Sequence, residues 1–552
     1  MKIAGLKLTH DGSFAVAEDD KLLFCVELEK VSNNNRHTPF KNLKYLDQIL
    51  QYYGLSREDI DQWIIDGWEN DPEYMMEKNK IVLEEETLPV HFYHNYKDGK
   101  SESEYSEYHS KEFGDYISFS HVFDHLCASY CTSPFSEKNE SSFVLCFDGG
   151  VKPLLYYYDS ESEEFLFCKE LLKFGGDIYT GIASRTETFA FSRRVVNGYH
   201  TFTQKYAGRV MAYIAMGQVQ SEILTACEKV YDQLSDANTI AGQWSQNRKF
   251  ETELLQKIGN LYSDADLLAS FHVFLQKKLV AELCEAAAGF PHGCSHLCLA
   301  GGSFLNIKWN SAIRSSGLFD EIYVPPFVND SGNAIGAVCA HNLVKKKCVH
   351  LKWNTYQGTP MIRESQTEHW EKQEASLENL AGLLAKGQPV LFLDGCSELG
   401  PRALGARSIL ADARSFSMKA MINRIKKRED YRPVAPICIE EDAPLYFEPG
   451  TRDRFMLFEH QVTEYGKEHA PAVVHLDNTA RLQTVSKEDN PKIYALLKEY
   501  KKLTNEAVLC NTSANDYGKG FFPSVKAAQK WGQVDYIWSE GMLYKKVAEY
   551  TD

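Results

Sequence analysis

Residues 142–159 read SFVLCFDGGVKPLLYYYD, which is two apolar runs of strand length separated by an Asp-Gly-Gly loop. After a polar turn, a third apolar run, EFLFCKELL, occupies residues 164–172. Runs of this length and composition predict β-strands. The same order occurs at the start of the chain, with apolar or alternating runs at 2–8, 13–19 and 22–30. The chain therefore contains the series strand, Asp-Gly loop, strand, turn, strand twice.

This supersecondary repeat favours one fold class. Two such halves, each followed by helices, are the pattern of the duplicated α/β fold of actin, the sugar kinases and the heat-shock ATPases. In that fold, the loops between the first two strands of each half face a common nucleotide cleft. Those loops hold His10 and Asp11 in the first half, and Asp148 and Gly149 in the second. A chance similarity between two β-meanders is the alternative interpretation.

Length and composition set the number and class of domains. The chain has 552 residues, whereas one domain usually has about 100–250 residues. The composition turns polar and irregular from Lys345 to Leu377, so we expect one domain over 1–360 and a second α/β domain over 361–552. Hydrophobic residues make up 44% of the chain and charged residues 25%, which is typical of a globular enzyme.

Charge and cysteine usage indicate the compartment and exclude some partners. The formal net charge of −16 argues against a dominant nucleic-acid surface. No run approaches the roughly 18 apolar residues of a membrane helix, and the start lacks the apolar region of a secretory signal. The 14 cysteines form no CxxC pair and many lie in apolar runs, which indicates buried thiols in a reducing compartment. We expect a cytoplasmic protein that contacts no membrane.

The strongest local charge lies in residues 397–436, SELGPRALGARSILADARSFSMKAMINRIKKREDYRPVAP. Cations packed this densely repel one another, and a bound polyanion relieves the repulsion, since Arg forks suit phosphate or carboxylate oxygens. Gly-Pro and Arg-Pro corners favour a shaped pocket, whereas a solvated basic helix is the alternative. Between Arg402 and Arg432 the acidic residues are only three, Asp412, Glu429 and Asp430. The cations are nine: Arg402, Arg407, Arg414, Lys419, Arg424, Lys426, Lys427, Arg428 and Arg432.

A metal site is one interpretation of the spacing of two histidines. His121 and His125 lie four residues apart in SHVFDHLCASY, so on a helix they share a face. Asp148 and Asp330, each in a predicted loop, could complete a set of two histidines and two aspartates. Mixed imidazole and carboxylate ligands suit iron, manganese or zinc rather than calcium. Two ordinary polar positions on a helix are the alternative.

Three further residues occupy positions where chemistry is expected. His10 lies at the first Asp-Gly turn, where a general base could take a proton from an attacking hydroxyl. Asn511 and Ser513 follow an apolar strand, and side chains at a strand end can bind ribose or phosphate. Each of the three could instead have only a capping or turn role.

These motifs resemble those of one family, the ATP-dependent O-carbamoyltransferases of antibiotic and nodulation-factor biosynthesis, such as the nodulation-factor, cephem and tobramycin carbamoyltransferases. The resemblance covers nearly the whole chain. Its most specific element is GPRALGARSILADAR followed by KKREDYRPVAP, at 400–414 and 426–436. The other matching motifs are HDGS (10–13), HxxxH (121–125), AGGSFLN (300–306), NDSGNAIGA (329–337), ARLQTV (480–485) and LCNTSAN (509–515).

The resemblance implies a fold and a two-site chemistry. The N-terminal domain resembles the tRNA threonylcarbamoyl transferase, which has the duplicated actin-like fold, and the C-terminal α/β domain resembles threonylcarbamoyl-adenylate synthase. In the family, ATP and carbamoyl phosphate yield carbamoyl adenylate and pyrophosphate in the C-terminal pocket. The adenylate then carbamoylates a hydroxyl in the metal-bearing N-terminal cleft, and AMP is released.

Site residues follow from the resemblance, motif by motif. The adenylating site is implied to contain Lys426 and Arg432 as catalytic residues, with Arg402, Arg481, Asn511 and Ser513. The residues implied to face the adenylate in the transfer site are Gly149, Gly302 and Asn333. The implied metal ligands are His121, His125, Asp148 and Asp330, and the metal resembles iron, as Fe(II) or a similar divalent ion. His10 is implied to be the catalytic residue of transfer.

The expected partners are ATP, accompanied by Mg²⁺, carbamoyl phosphate and a small-molecule hydroxyl acceptor, with a homodimer left open. The leading hypothesis is carbamoylation of a small natural product or saccharide. Two alternatives stay open at this point: a carbamoyl or threonylcarbamoyl transferase that modifies tRNA, and a nucleotide-binding protein without turnover. The acidic net charge counts against the first, and the retained charged motifs count against the second.

Overall fold

The computed structural model describes residues 1–33, 36–67, 80–91, 103–190, 199–237, 240–365, 367 and 369–547. By their contacts, the residues form two compact units. The first comprises Met1–Cys25 and His37–Trp353, and the second comprises Val26–Arg36 and Asn354–Asp552. Helix α1 (Leu28–Ser32) lies in the short N-terminal segment of the second unit. The expected functional domains, 1–360 and 361–552, stay a prediction.

The first half of the first unit is built on a six-stranded sheet with the strand order β3-β2-β1-β4-β8-β7. β1 is antiparallel to β2 and parallel to β4, and β4 is parallel to β8. β5 and β6 form a separate two-stranded sheet. The strands are β1 (Lys2–Lys7), β2 (Ser13–Glu18), β3 (Lys21–Glu27), β4 (Gln62–Ile65), β5 (Lys80–Val82), β6 (Thr87–Pro89), β7 (Tyr105–Ser110) and β8 (Gly114–Phe119).

The second half repeats this arrangement. Its strands are β9 (Ser142–Cys146), β10 (Leu154–Asp159), β11 (Glu164–Glu170), β12 (His296–Ala300) and β13 (Glu321–Tyr323). They form a sheet in the order β11-β10-β9-β12-β13. As in the first half, the first strand, β9, is antiparallel to the second and parallel to the fourth, β12. The predicted duplicated α/β fold is therefore confirmed, and all six predicted meander runs form strands.

The helices of the first unit connect and cover these sheets. The longest of them has 25 residues, Asp264–Ala288. The helices are α2 (Lys44–Tyr52), α3 (His121–Tyr130), α4 (Pro134–Glu137), α5 (Ile178–Ala183), α6 (Tyr199–Tyr213), α7 (Ser221–Asp232), α8 (Ile240–Ile258), α9 (Asp264–Ala288), α10 (Ile307–Ser315) and α11 (Asn333–Lys346).

Helix α11 packs close to strand β1 and helix α3, at a glycine in each interface. A Cβ atom on Gly5 of β1 would lie 2.0 Å from the carbonyl oxygen of Ala334. A Cβ atom on Gly336 would lie 2.0 Å from the carbonyl oxygen of Asp124 in α3. These glycines let the backbones of β1, α3 and α11 approach closely. The polar residues at the ends of these three elements are thereby brought together.

The second unit is a mixed α/β unit. Its eight-stranded sheet has the order β14-β24-β23-β15-β16-β22-β17-β21, and β18, β19 and β20 form a smaller sheet. The strands are β14 (Trp370–Glu374), β15 (Val390–Leu393), β16 (Arg407–Asp412), β17 (Ala435–Ile439), β18 (Phe447–Glu448), β19 (His460–Val462), β20 (Thr479–Ala480), β21 (Gln483–Val485), β22 (Val508–Ser513), β23 (Tyr536–Ser539) and β24 (Met542–Lys546).

Amphipathic helices cover this sheet. Leu380 and Leu496, from two of them, share one buried core with Leu410, Ile437 and Leu509 of the sheet. The helices are α12 (Leu377–Ala385), α13 (Phe416–Ile425), α14 (Ala443–Tyr446), α15 (Glu464–His469), α16 (Pro491–Thr504) and α17 (Val525–Trp531). In the part of the chain that the structure describes, no helix has both the length and the apolar character needed to cross a bilayer.

Candidate functional site

The two histidines predicted as metal ligands lie on helix α3. Ser120 caps this helix, its Oγ accepting a hydrogen bond from the Phe123 amide at 3.1 Å. His121 is the first helical residue and His125 lies one turn later, so both side chains point to the same side. Their ring centroids are 4.7 Å apart, and both rings are buried.

Asp148 and Asp330 lie beside these histidines. Asp148 follows strand β9, and Asp330 lies in the turn before helix α11. One ligand atom from each of the four residues lies within 4.8 Å of those of the other three. His121 Nε2 is 3.6 Å from Asp330 Oδ2 and 3.9 Å from Asp148 Oδ2, and His125 Nε2 is 3.5 Å from Asp330 Oδ1. The structure therefore brings the four residues together; we call them the metal group.

The donor set of the metal group fits a divalent transition metal. Two imidazole nitrogens with two carboxylate oxygens suit iron, manganese or zinc, whereas calcium takes oxygen ligands. Among the described residues, none forms a hydrogen bond with the buried His125 Nε2. A buried polar atom of this kind is costly unless something binds it. The group could therefore hold a metal ion.

Glycines fix the carboxylate of Asp148. The Gly302 amide donates a hydrogen bond to Asp148 Oδ1 at 2.7 Å, and the Gly176 amide donates to the Asp148 carbonyl at 2.8 Å. Gly301 has φ +93°, and a Cβ atom there would lie 2.4 Å from the Phe147 carbonyl oxygen. By contrast, a Cβ atom on Gly149 would meet no atom of the described residues within 4 Å. The loop therefore leaves open space at Gly149, where a ligand was predicted.

A layer of buried charge lies against the metal group. Lys7 Nζ is 3.0 Å from Asp66 Oδ2 and 3.1 Å from Asp330 Oδ2. Burial opposes the ammonium, but the two carboxylates outweigh burial and raise the pKa of Lys7. Burial also opposes the imidazolium of His121, yet Asp66 and Asp330 raise the pKa of that residue well above its usual value. Burial and Asp66 raise the pKa of Asp124 well above its usual range.

Asn333 belongs to this layer. Its side chain is fully buried, and Nδ2 donates to Asp66 Oδ1 at 3.0 Å. The same nitrogen lies 2.9 Å from His121 Nδ1. The structure thus places Asn333 against Asp66 and His121, while its predicted contact with the adenylate stays a prediction.

His10 borders the metal group from the first Asp-Gly loop. Its Nδ1 is 3.5 Å from Asp330 Oδ2 and 3.4 Å from Asp11 Oδ2. Asp11 also accepts from His37 Nδ1 at 2.8 Å. Burial would raise the pKa of Asp11, but His37 and His10 lower it below its usual range. His10 is partly exposed, so it can meet a ligand while Asp11 and Asp330 contact its ring.

Asp177 is an acidic residue of this region that sequence reasoning did not single out. Its amide donates to the Gly149 carbonyl at 2.8 Å, and Asn247 Nδ2 donates to its Oδ1 at 2.8 Å. Burial, followed by the neighbouring Glu251, raises the pKa of Asp177 to about 7. The sequence signal that could have found it is a Gly-Gly-Asp run at the start of a helix.

The second unit contains a cluster of six cations in which each has cationic neighbours. Burial, then Arg432 and Arg481, lowers the pKa of Arg428 to about 9. Burial, then Arg432, lowers the pKa of Arg481 to about 10. Burial, then cationic neighbours, also lowers the pKa of Arg402 and of Lys426 well below the usual values. The members of this cation cluster are Arg36, Arg402, Arg481, Arg432, Arg428 and Lys426.

Lys426 connects the cluster to the end of strand β22. Its Nζ donates to the Ser513 carbonyl at 2.7 Å and to the Asn515 side chain. Ser513 Oγ donates to the same Asn515 side chain at 2.6 Å. Asn511, two residues earlier, donates to the Ala403 carbonyl at 3.0 Å. The residues predicted for the adenylating site therefore lie around one end of this sheet, although their ligand contacts stay a prediction.

Five of the nine cations in the basic segment lie outside the cluster. Arg407 is buried and donates to backbone carbonyls, including those of Asp394 and Gly395. Arg414 pairs with Asp412 at 2.8 Å. Lys419 is bound to the Val474 carbonyl at 3.1 Å. The remaining two are exposed, as a solvated basic helix would have them: Arg424 and Lys427.

Comparisons with known proteins place both units in one family. Residues 2–339 match the family described as carbamoyltransferase N-terminus, and residues 381–546 match the family described as carbamoyltransferase C-terminus. The chain belongs to the carbamoyltransferase family. The predicted family resemblance is thereby confirmed. The N-terminal match includes the whole metal group, and the C-terminal match includes every member of the cation cluster except Arg36.

Relatives of this carbamoyltransferase-family chain cover nearly all of its length. It is 40% identical over 573 residues to "Nodulation protein U" of Sinorhizobium fredii, with 99% of both chains covered. It is 28% identical over 538 residues to "3'-hydroxymethylcephem-O-carbamoyltransferase" of Amycolatopsis lactamdurans, with 94% of both chains covered. Among solved structures, full-length HypF in its phosphate- and nucleotide-bound form matches 63% of this chain and 56% of its own at 13% identity, with a TM-score of 0.31.

Besides Asp177, three charged residues at the two sites of this family member were not predicted from the sequence. Lys7 stands in the apolar run KIAGLKL, and a lysine inside a buried strand was the available signal. Asp66 ends the apolar run WIID, and an aspartate at the end of such a run was likewise an available signal. Arg36 had no local signal, because the cations that it neighbours, Arg402 and Lys426, lie beyond residue 400 and only the fold brings them near.

Proposed function

We propose that this chain is an ATP-dependent O-carbamoyltransferase that forms carbamoyl adenylate and transfers the carbamoyl group to a hydroxyl of a saccharide or small natural product. The observation that carries the proposal is the cation cluster, which occurs in the same chain as the metal group. A relative named as an O-carbamoyltransferase, aligned over 94% of both chains, supports the hydroxyl as acceptor.

The cation cluster suits adenylation. Water hydrolyses carbamoyl phosphate to carbamate and inorganic phosphate. An oxygen of the carbamate then attacks the α-phosphorus of ATP and expels pyrophosphate. Mg²⁺ accompanies the triphosphate. Arg432, Arg402 and Arg481 neutralise the phosphate oxygens, and bound anions relieve the repulsion that these cations otherwise exert on one another. Lys426 interacts with the same anions from the β22 end, where Asn511 and Ser513 are proposed to contact the nucleotide.

The metal group suits transfer. The acceptor hydroxyl attacks the carbamoyl carbon, His10 takes the hydroxyl proton, and AMP leaves with the bonding electrons. Gly149 and Gly302 supply backbone near the adenylate, and Asn333 supports the adjacent buried layer. His121, His125, Asp148 and Asp330 would hold a divalent metal, with Fe(II) expected. When bound, such an ion polarises a carbonyl oxygen as a Lewis acid.

An assay of pyrophosphate release tests the first half of the proposal. Purified protein receives MgATP with or without carbamoyl phosphate, and hydroxylamine serves as a trap for the adenylate. We expect pyrophosphate release only when both substrates are present, and hydroxyurea and AMP as trapped products. Pyrophosphate release that needs no carbamoyl phosphate, or none at all, would contradict the proposal.

A second set of reactions identifies the acceptor class. Isotope-labelled carbamoyl phosphate is offered with a panel of soluble oligosaccharides and hydroxylated small molecules, and in parallel with unmodified tRNA. Label in an oligosaccharide or small-molecule product supports the proposal. Label in tRNA alone would overturn the acceptor assignment in favour of RNA modification.

A further inference from the structure

Lys7 and Asp66 are ionised residues in the interior of the first unit, and neither belongs to the metal group. They lie at the ends of neighbouring parallel strands, β1 and β4, whose register pairs Leu6 with Ile65. The Asp66 amide donates to the Leu6 carbonyl at 2.8 Å, so the two side chains emerge together. Lys7 Nζ and Asp66 Oδ2 are 3.0 Å apart, and both side chains are almost completely buried.

Asp66 contacts the His121 imidazole at its Nδ1 atom. His121 Nδ1 lies 3.0 Å from Asp66 Oδ2 and 3.1 Å from Oδ1, so an Nδ1–H donates to the carboxylate. Asn333 Nδ2 donates to Asp66 Oδ1 at 3.0 Å. A hydrogen bond that keeps the proton on Nδ1 leaves Nε2 as the ring nitrogen that is available to bind a metal. That Nε2 atom faces Asp330 and Asp148.

Lys7 holds Asp66 and Asp330 together. Its Nζ is 3.0 Å from Asp66 Oδ2 and 3.1 Å from Asp330 Oδ2. A buried ion pair contributes little net stability when compared with apolar residues of similar size. Fold stability alone therefore gives little reason for the pair. Its geometry gives another reason, since the two residues together touch two members of the metal group, His121 and Asp330.

We infer that Asp66, held by Lys7, is a positioning residue that fixes the tautomer and ring orientation of His121 for metal binding. The inference rests on the proposed metal role of the four-residue group and adds a pair of residues to it. Hydrogen-bond partners of metal-ligating histidines typically change metal affinity about 10–100-fold when replaced.

The decisive variant is Asp66→Asn combined with Lys7→Met. It removes one charge of each sign, so the net charge beside the metal group is unchanged, and Asp330, which loses Lys7, keeps His10, His121 and His125 as neighbours. The variant should therefore fold. A change in metal affinity then reports the orientation of His121 rather than Coulomb attraction. Asp66→Asn alone tests the same contact while Lys7 is retained.

Co²⁺ serves as the probe, because its visible d–d absorption reports ligand geometry and its titration gives a Kd without any turnover. We expect wild type to bind one Co²⁺ per chain, and the double variant to bind it about 10–100-fold more weakly with an altered spectrum. The matched control is Lys152→Met with Glu170→Gln, another largely buried ion pair of the first unit, at 2.6 Å. This control should retain the wild-type Kd and spectrum.

The His125→Ala variant distinguishes a failure of the metal group from a failure of the positioning role of Asp66 and Lys7. If wild type binds no Co²⁺, or if His125→Ala binds it as well as wild type, the metal group itself is wrong and the inference falls with it. If His125→Ala loses Co²⁺ while Asp66→Asn/Lys7→Met keeps the wild-type Kd within twofold and the same spectrum, only the positioning role is overturned. Equal weakening in the Lys152/Glu170 control would also overturn it.

Discussion

Arg432 and Arg424 are both cations of the basic segment, but only Arg432 belongs to the cation cluster. We predict that Arg432→Ala lowers pyrophosphate release from MgATP and carbamoyl phosphate at least tenfold. The reason is the loss of charge-assisted hydrogen bonds to phosphate, each worth about 1.5–3 kcal/mol. Arg424→Ala, an exposed change of the same kind, should leave the rate unaltered. Equal rates in the two variants would remove Arg432 from the adenylating site.

His10 offers a prediction that separates the two chemical steps. His10→Gln keeps the approximate size of the side chain but removes the titratable ring, so proton transfer from the acceptor hydroxyl should fail. We expect at least a hundredfold loss of carbamoylated product, since general base catalysis contributes about 10²–10⁴-fold. Pyrophosphate release in the same samples should stay at the wild-type rate. A parallel fall of both signals would show that His10 acts on adenylation or on folding.

At the scale of elements, the glycines of helices α11 and α12 differ in their surroundings. A Cβ atom on Gly336 would meet the Asp124 carbonyl oxygen at 2.0 Å, whereas one on Gly382 would meet no described atom within 4 Å. We predict that Gly336→Ala destabilises the protein by about 1–3 kcal/mol through overpacking between α11 and α3. Gly382→Ala should stabilise it by about 0.5–1 kcal/mol, because alanine favours a helix.

Urea unfolding measures both glycine changes. Because α3 and α11 flank the metal group, Gly336→Ala should also weaken Co²⁺ binding, while Gly382→Ala should leave it unchanged. A Gly336→Ala variant with wild-type stability would show that these helices separate at no cost and do not fix the group.

These elements show which parts of the fold and of the site could be predicted from the sequence. Period-two runs predicted the strands of both meanders, since such patterns depend on burial that is local to each strand. The helical face of His121 and His125 followed from their four-residue spacing. Lys7 and Asp66 were not predicted because the contact between them depends on the pairing of β1 with β4, which no local pattern reveals. After β12, a short 3₁₀ turn, Gly302–Leu305, precedes α10, which begins at Ile307. The Gly302 amide in that turn donates to Asp148 Oδ1, which lies 154 residues earlier in the chain.

For the whole molecule, a net charge of −16 coexists with a cluster of six cations. We predict that pyrophosphate raises the melting temperature, because the anion relieves repulsion that exists only in the folded state. At a hundred times its Kd, a ligand of this kind stabilises by about 2.7 kcal/mol. Sodium chloride at equal ionic strength should give a smaller shift, and Arg481→Ala should reduce the effect of pyrophosphate. Equal shifts from both salts would indicate screening without a specific anion site.

The assignment of Val26–Arg36 to the second unit has a consequence for synthesis on the ribosome. Arg36 leaves the ribosome long before Pro401, whose carbonyl accepts a hydrogen bond from the Arg36 guanidinium, has been translated. At about 5–20 residues per second, the intervening chain takes roughly 20–70 s to make. Near the end of that interval the first unit has its whole sequence, yet this segment still lacks the later residues of the second unit. A chaperone that holds unpacked segments would therefore find a substrate in this stretch, which runs from the end of β3 towards helix α2.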